Sequence, residues 1–296
     1  MIQQSGDIKL IESQGDYVKT DLTDLIEREG NNYWFTANIS TSIIIERNDI
    51  ILDGNGYTLK GYGTGIGLNL TTNNVTVKNI NIIEWDVGIL GPYNDNTIMG
   101  NSITKCKYGI NLISNYNTII NNYVANNEKG IFIGRVSSFN FISKNYFANN
   151  DIGLEIFSYD SIGGNTITEN NIALNKLGIY VTWHRTGLMQ NIYRNNFIEN
   201  TKQVSTSGSS PIFGKKASST WNNGSIGNYW SDYKGPDSNS DGIGDSPYII
   251  NDYDKDTYPL MSPLTLEIIP EFPLLTVLFI GFFAMTAILV VSRRRI

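Results

Sequence analysis

Apolar and polar residues alternate over four or five positions in short phrases that recur along residues 49–204. Each phrase opens on a glycine, near Gly65, Gly88, Gly109, Gly130, Gly153 and Gly178, as in Gly109-Ile110-Asn111-Leu112 and Gly130-Ile131-Phe132-Ile133. A second phrase, of the form N-x-I-x-x-N, follows each time: Asn96–Asn101, Asn117–Asn122, Asn140–Asn145, Asn165–Asn170 and a variant at Gln190–Asn195. Alternation with period two is the mark of a half-buried strand. No phrase carries an apolar stripe at helical spacing. The phrases return about every 21 to 25 residues, and a fixed period in that range signals a solenoid. Coils of strands and tight turns, stacked at about 4.8 Å, predict an all-β parallel β-helix of about seven coils, roughly 35 Å long. Gly and Asn at the turns are expected to supply left-handed backbone.

The alternation also assigns faces. Ile66 and Leu68, Ile110 and Leu112, Ile131 and Ile133, Leu154 and Ile156, and Ile179 and Val181 point inward from the first strand. Ile98, Ile119, Ile142, Ile167 and Ile192 do so from the second, which predicts a core of two apolar stacks. The recurring asparagines are expected to form amide ladders. Outward on successive coils come Asn111, Phe132, Glu155 and Tyr180, followed along the chain by Arg135, then Tyr159 and Asp160, then Trp183, His184 and Arg185. Aromatic faces beside charged groups are what an extended sugar chain needs, so Phe132, Glu155, Tyr180 and Trp183 form a candidate carbohydrate-binding strip; the alternative is that these rings only cover the rod. Glu155 and Asp160 are the catalytic candidates for glycoside hydrolysis, which needs two carboxyl groups roughly 5 to 9 Å apart, and Arg135 is the candidate base for a polysaccharide lyase. No constellation stands above background.

Outside the repeats the chain divides into an N-terminal segment and cap (1–48), a C-terminal cap (206–262) and a tail (263–296) flanking the coils (49–205). Residues 1–32 lack the charged start and apolar run of a signal peptide, so for a surface protein either the true start is expected upstream or the sequence is a fragment. Trp221 and the run Gly227-Asn228-Tyr229-Trp230 offer large side chains to plug the open end of the rod. In Asp237–Asp245, oxygen ligands at Asp237, Asn239 and Asp241, the carbonyl of Ile243, and Asp245 match the front half of a calcium loop; Tyr248 stands where an EF-hand has its bidentate glutamate. A structural Ca²⁺ and a metal-free acidic turn both remain open there.

The charge of −6 over 296 residues argues against nucleic acid as a partner. Cys106 is the single cysteine and excludes an internal disulfide; His184 is the single histidine and excludes a multi-histidine metal site. The uncharged run Leu274–Val291 followed by Arg293-Arg294-Arg295 predicts a membrane helix with the bulk of the chain outside. For an outside location Asn38, Asn69, Asn74 and Asn223 become glycosylation acceptors, each in N-x-S/T.

Asp53-Gly54-Asn55-Gly56-Tyr57-Thr58-Leu59, the Gly-Ile and Asn ladder, and Gly227-Asn228-Tyr229-Trp230-Ser231-Asp232-Tyr233 together resemble the right-handed parallel β-helix repeats of the pectin-lyase-like superfamily, and more narrowly NosD-like archaeal surface proteins. The resemblance covers roughly residues 33–262. That fold hosts lyases, hydrolases, adhesins and inert stalks, so it implies architecture more than activity. Family members are often labelled copper-binding, which one His, one Cys and scattered Met do not support. Pro270-Glu271-Phe272 before the apolar run resembles the PEF-CTERM sorting signal, which implies cleavage and lipid anchoring by an archaeosortase; a retained membrane helix is the alternative. The expected function is a cell-surface protein binding extracellular or envelope carbohydrate, with a polysaccharide lyase or glycoside hydrolase, or a structural stalk, as alternatives.

Overall fold

The computed structural model describes residues 8–11, 25–159, 164–184, 189–209 and 219–266. It is a β-solenoid of the right-handed type with about seven turns. The described residues hold no helix long and apolar enough to cross a membrane, and the run Leu274–Val291 and Pro270-Glu271-Phe272 lie outside them. Three parallel sheets run the length of the rod. Sheet 1 contains Ser42–Ile45, Ile66–Leu70, Val87–Gly91, Tyr108–Leu112, Lys129–Ile133, Ile152–Tyr159, Leu177–His184 and Lys202–Ser209. Sheet 2 runs from Asn32–Phe35 through Thr97–Met99 and Thr118–Ile120 to Asn191–Tyr193. Sheet 3 runs from Thr58–Lys60 through Ser102–Thr104 and Tyr123–Ala125 to Asn196–Ile198 and Tyr229–Trp230. At the N-terminal end two antiparallel strands, Ile26–Glu29 and Ile8–Ile11, lie outermost on sheets 2 and 1.

Three apolar stacks fill the interior, one more than the repeats suggested. Ile110, Ile131, Leu154 and Ile179 stack from sheet 1, and Ile98, Ile119, Ile142, Ile167 and Ile192 from sheet 2, all fully buried. Ile82, Ile103, Val124, Phe147, Ile172 and Phe197 form the third stack from sheet 3. In the coil of Ile66–Leu70 the inward pair is Leu68 and Leu70. Ile66 is half-buried and pairs with Val87 in the outer column, because the glycine in register there is Gly67 and not Gly65.

The glycine column has a different cause from the expected turn chemistry. Gly88, Gly109, Gly130, Gly153 and Gly178 have no left-handed φ. A Cβ on Gly130 would lie 2.4 Å from the carbonyl oxygen of Gly153, and one on Gly109 2.5 Å from that of Gly130. Each glycine therefore permits the close approach of the next coil. The column ends at Gln203, the residue in register where the coils stop, whose Oε1 accepts from Asn200 Nδ2 at 2.8 Å.

Corner asparagines form three ladders, including one that the N-x-I-x-x-N phrase does not reveal. The first runs Asn96, Asn117, Asn140, Asn165 and Gln190. The second runs Asn101, Asn122, Asn145, Asn170, Asn195 and Asn228. The third, five residues further on, runs Asn127, Asn150, Asn175 and Asn200. From Asn101 and Asn117 onward, the amide oxygen of a rung accepts both the backbone N–H and the Nδ2 of the preceding asparagine, as Asn145 does from Asn122 at 2.9 Å each, while Asn145 Nδ2 donates to the Ile119 carbonyl at 2.9 Å. The left-handed residue is the one before the ladder residue, for example Asn121, Lys144, Glu169 and Arg194 in the second column.

The C-terminal end is plugged. Trp230 stacks between Phe197 and Tyr248, at 4.2 and 4.1 Å between ring centroids, and Trp221 lies buried beside it. Two buried carboxylates hold the plug. Asp256 Oδ2 accepts from Asn228 N at 2.6 Å and Trp230 Nε1 at 3.0 Å; Asp254 Oδ1 accepts from Ser219 N at 2.9 Å and Trp221 Nε1 at 3.1 Å. Burial raises the Asp256 pKa, against the pull of those donors.

Asn145→Ala would orphan the Asn122 N–H and the Ile119 carbonyl in the interior. It is expected to cost about 2–4 kcal/mol, read as a fall in urea midpoint, against less than about 1 kcal/mol for Asn171→Ala on the outer face. The raised pKa of Asp256 means that the folded state holds its proton more tightly than the unfolded chain does. Its contribution to stability is therefore present in full at low pH and falls as pH rises through the ordinary carboxylate range to the raised folded value. Asp256→Asn should remove that downward slope from a plot of unfolding midpoint against pH, whatever it does to the mean.

Candidate functional site

The coils stay in step because the second and third corners keep a five-residue pitch: Asn117, Asn122 and Asn127 recur as Asn140, Asn145 and Asn150. Added residues fall at the corner from sheet 1 to sheet 2, where successive rungs are 21, 23 and 25 residues apart. There the sheet 1 strands Ile152–Tyr159, Leu177–His184 and Lys202–Ser209 lengthen to eight residues.

The outer face of sheet 1 carries the predicted strip. Asn111, Phe132, Glu155, Tyr180 and Ser205 stand in register on successive coils, and all are half-buried. A neighbouring outer column brings Tyr108 against Lys129. The two columns interlock: the Tyr108 and Phe132 rings meet edge to face at 5.8 Å, and Lys129 Nζ lies 5.1 Å from the Tyr108 ring and 5.2 Å from the Phe132 ring. Lys129 Nζ also pairs with Glu155 Oε2 at 2.6 Å. Partial burial works against the ammonium, but the bond and charge of Glu155 outweigh it and hold the Lys129 pKa above its ordinary value. The Tyr180 hydroxyl shares a hydrogen with Ser207 Oγ at 2.8 Å, and Ser207, then Thr182, draws its pKa down. Arg135 is exposed, with its guanidinium 5.8 Å from the Phe157 ring in the third outer column.

Trp183 does not join this face. The strand continues through His184, so the parity that sends Ile179 and Val181 inward sends Trp183 inward as well, and it is 5% exposed. Among the described residues its Nε1 has no hydrogen-bond partner. Asp160 and Arg185 lie outside the described residues. The carboxylate of Glu155 is tied to Lys129 and flanked in register by Phe132 and Tyr180, and the nearby Asp151 pairs with Lys176 at 2.7 Å. Among the described residues no second free carboxyl group faces Glu155, so the geometry does not favour hydrolysis.

The acidic loop of the cap turns its oxygens onto its own backbone. Asp237 accepts from Asp241 N at 3.2 Å and Gly242 N at 3.1 Å, Asn239 Oδ1 from Asp241 N at 3.3 Å, Asp241 Oδ1 from Ile243 N at 2.9 Å, and Asp245 from Ser238 N at 2.8 Å. These bonds hold Asp237, Asn239, Asp241, Ile243 and Asp245 around one turn, with left-handed Ser240 and Gly242. The hydroxyl and backbone N–H of Ser238 lower the Asp245 pKa. Of the four sequons, Asn38, Asn74 and Asn223 are exposed, and Asn69 is half-buried on the outer face of sheet 1.

Residues 4–235 match the model of a family described as periplasmic copper-binding protein (NosD). The chain is also 33% identical, over 160 residues, to a probable ABC transporter binding protein NosD of Stutzerimonas stutzeri; the match takes in 53% of this chain and 32% of that relative. The chain thus spans about a third of the relative's length. Among the described residues the donors that copper needs are not assembled. Burial pushes the Cys106 thiol up to about 11, which keeps it protonated at neutral pH. Met99 lies on the outer face of sheet 2, Met189 at a corner and Met261 in the cap, and no three His, Cys, Asp or Glu among the described residues are grouped to hold a metal. The residues present do not fit a copper site, but the match spans well over half the chain, and the chain belongs to the NosD family.

Proposed function

We propose that this chain is an extracytoplasmic binding protein whose sheet 1 outer face takes an extended glycan. The observation that carries the reading is the in-register row Phe132, Glu155 and Tyr180, with Tyr108 and Lys129 beside it, on one outer face. Sugar rings stack on aromatic faces and their hydroxyls bond to charged edges, and coils at a constant spacing repeat that chemistry along a chain. The family's description as periplasmic and the relative's name as a transporter binding protein support a location outside the cytoplasm and a binding role. Leu274–Val291 with the following arginines supports an anchored protein, held either by that helix or, after sorting at Pro270-Glu271-Phe272, by a lipid. In such a compartment Asn38, Asn74 and Asn223 are open to glycosylation. The loop Asp237–Asp245 is a candidate structural Ca²⁺ site, with four carboxylate or amide side chains within nine residues.

The test uses the protein on a panel of neutral and acidic polysaccharides, following retardation in polymer-containing gels and the release of reducing or unsaturated ends. Retardation without products is expected. Phe132→Ala and Tyr180→Ala should each weaken it about tenfold, or roughly 1.4 kcal/mol, while the circular dichroism stays that of the folded wild type. Retardation unchanged in both variants would leave a structural stalk, and released products would revive the enzyme reading. For the loop, Ca²⁺ should raise the wild-type unfolding temperature relative to EDTA by a few degrees and leave Asp241→Ala unmoved; equal curves for the wild type in both buffers would remove calcium from this reading.

A further inference from the structure

On the outer face of sheet 2, at the N-terminal end of the rod, the chain forms a groove unrelated to the sheet 1 strip. Its volume is about 270 Å³, and Asn32, Trp34, Ile51, Asp53, Asn55 and Lys78 line it. The register places Trp34, Asp53 and Lys78 side by side on three successive strands, and Asn32 beside Ile51. Trp34 is held from below: its Nε1 donates to Glu27 Oε2 at 3.1 Å. The indole therefore offers its ring and not its N–H. Ile51, 37% exposed, extends the apolar floor.

The polar side is a neutral pair with capacity to spare. Lys78 Nζ meets Asp53 Oδ2 at 3.0 Å, while Asp53 Oδ1 accepts from Asn55 N at 2.8 Å and Asn79 Nδ2 at 3.2 Å. A carboxylate has about four lone-pair sites and an ammonium three donors. One acceptor position on Asp53 and two donor positions on Lys78 remain for a ligand. A charged ligand finds no uncompensated partner in that pair. A neutral ring with one C–H face and a hydroxyl edge fits both sides: the face on Trp34 and Ile51, the edge on Asp53 and Lys78. The volume falls just below the roughly 300–1,000 Å³ of sites for larger ligands, which suits one ring and not a chain.

We propose that this groove is a second, independent binding site for a single neutral pyranose. Trp34 is its platform, and the Asp53–Lys78 pair reads adjacent hydroxyls. Located on a different sheet from the strip, it would take a terminal or branching sugar.

The molecule supplies its own reporter. Of its five tryptophans, Trp85, Trp183, Trp221 and Trp230 are buried, and only Trp34 is partly open to solvent. Acrylamide quenching of the full chain therefore reads Trp34. The probes are the methyl pyranosides of glucose, galactose, mannose and N-acetylglucosamine, titrated to about 100 mM, because one ring on one platform binds in the millimolar range. At least one is expected to protect Trp34 from quencher, with Lys78→Met weakening its binding at least about tenfold. Saturation-transfer NMR on Trp34→Ala, which lacks the reporter, should show the same sugar released. Protection by none of the four, or undiminished binding to Lys78→Met, overturns the proposal. Phe132→Ala must keep the Trp34 response; its loss there would overturn the groove's independence. Polymer retention without Trp34 protection would sink the groove and leave the sheet 1 strip standing.

Discussion

A coil that turns a corner takes backbone N–H groups out of the sheet ladder and leaves them facing a dry interior. Each such group needs an acceptor or costs the fold as much as a lost hydrogen bond. The corner asparagine meets that need, and it dictates much else. Its Oδ1 accepts the N–H of the preceding coil, and its Nδ2 reaches back to a carbonyl such as that of Ile98 from Asn122. Two atoms of one side chain thus tie three coils, as Asn145 does with Asn122 and Ile119 before it and Asn170 after it. At most corners the residue before it turns left-handed, even when it is Glu169, Leu174 or Arg194, which have no intrinsic taste for that backbone. The rung overrides local propensity there.

This explains which parts were legible in the sequence. The Gly-Ile phrase and N-x-I-x-x-N give the period, the strands and two core stacks, because every rung needs the same small set of side chains. The third ladder stayed hidden because its early positions are Trp85 and Cys106, and asparagine enters only at Asn127. Spacing of five from the second ladder would have found it. The opening glycine reads as a turn residue in the sequence, since close approach of a carbonyl on the neighbouring strand, 21 to 25 residues away, leaves no trace in a single line of text. Gly67 and Gly65 look alike there, and only the clash with the next coil selects Gly67. Trp183 was misplaced because the strand outruns its phrase by three residues, and the parity of Ile179 and Val181 carries on. The Phe132, Glu155 and Tyr180 row was legible because it needs only the period. The Lys129–Glu155 pair was not, since it joins neighbouring columns across two coils. Trp34 gave no signal, because its partners Asp53 and Lys78 come from the next two coils.

Two corners are locked and one is not, and that division places function. Residues cannot be added between the second and third ladders without breaking rungs on both sides. Between sheet 1 and sheet 2 an insertion lengthens a loop and costs only slowly growing loop entropy. The longer strands and the half-buried outer columns of sheet 1 therefore sit beside the edge where the chain is free to vary, as binding residues do on rigid scaffolds. The interior, by contrast, leaves Glu155, Lys129 and Tyr180 no role in holding the coils together beyond their own face.

The ladders also have a direction, and the ends of the molecule follow from it. Each rung gives an N–H toward the C-terminus. At the start the giver needs no side-chain chemistry, so Val75 and Ile80 stand where asparagines stand later and add to the core. At the finish the demand must stop on a group that accepts without passing it on. Another asparagine would only move the orphan one coil further. A carboxylate is acceptor-only, and Asp256 takes the last N–H of the second ladder, from Asn228, together with the indole of the Trp230 plug. The third ladder ends on Gln203, whose amide turns its own donors out to Ser231 and Asp232 in the cap. A buried carboxylate with a raised pKa is thus the cost of ending an amide ladder, and the cap exists as much to close those hydrogen bonds as to cover apolar rings.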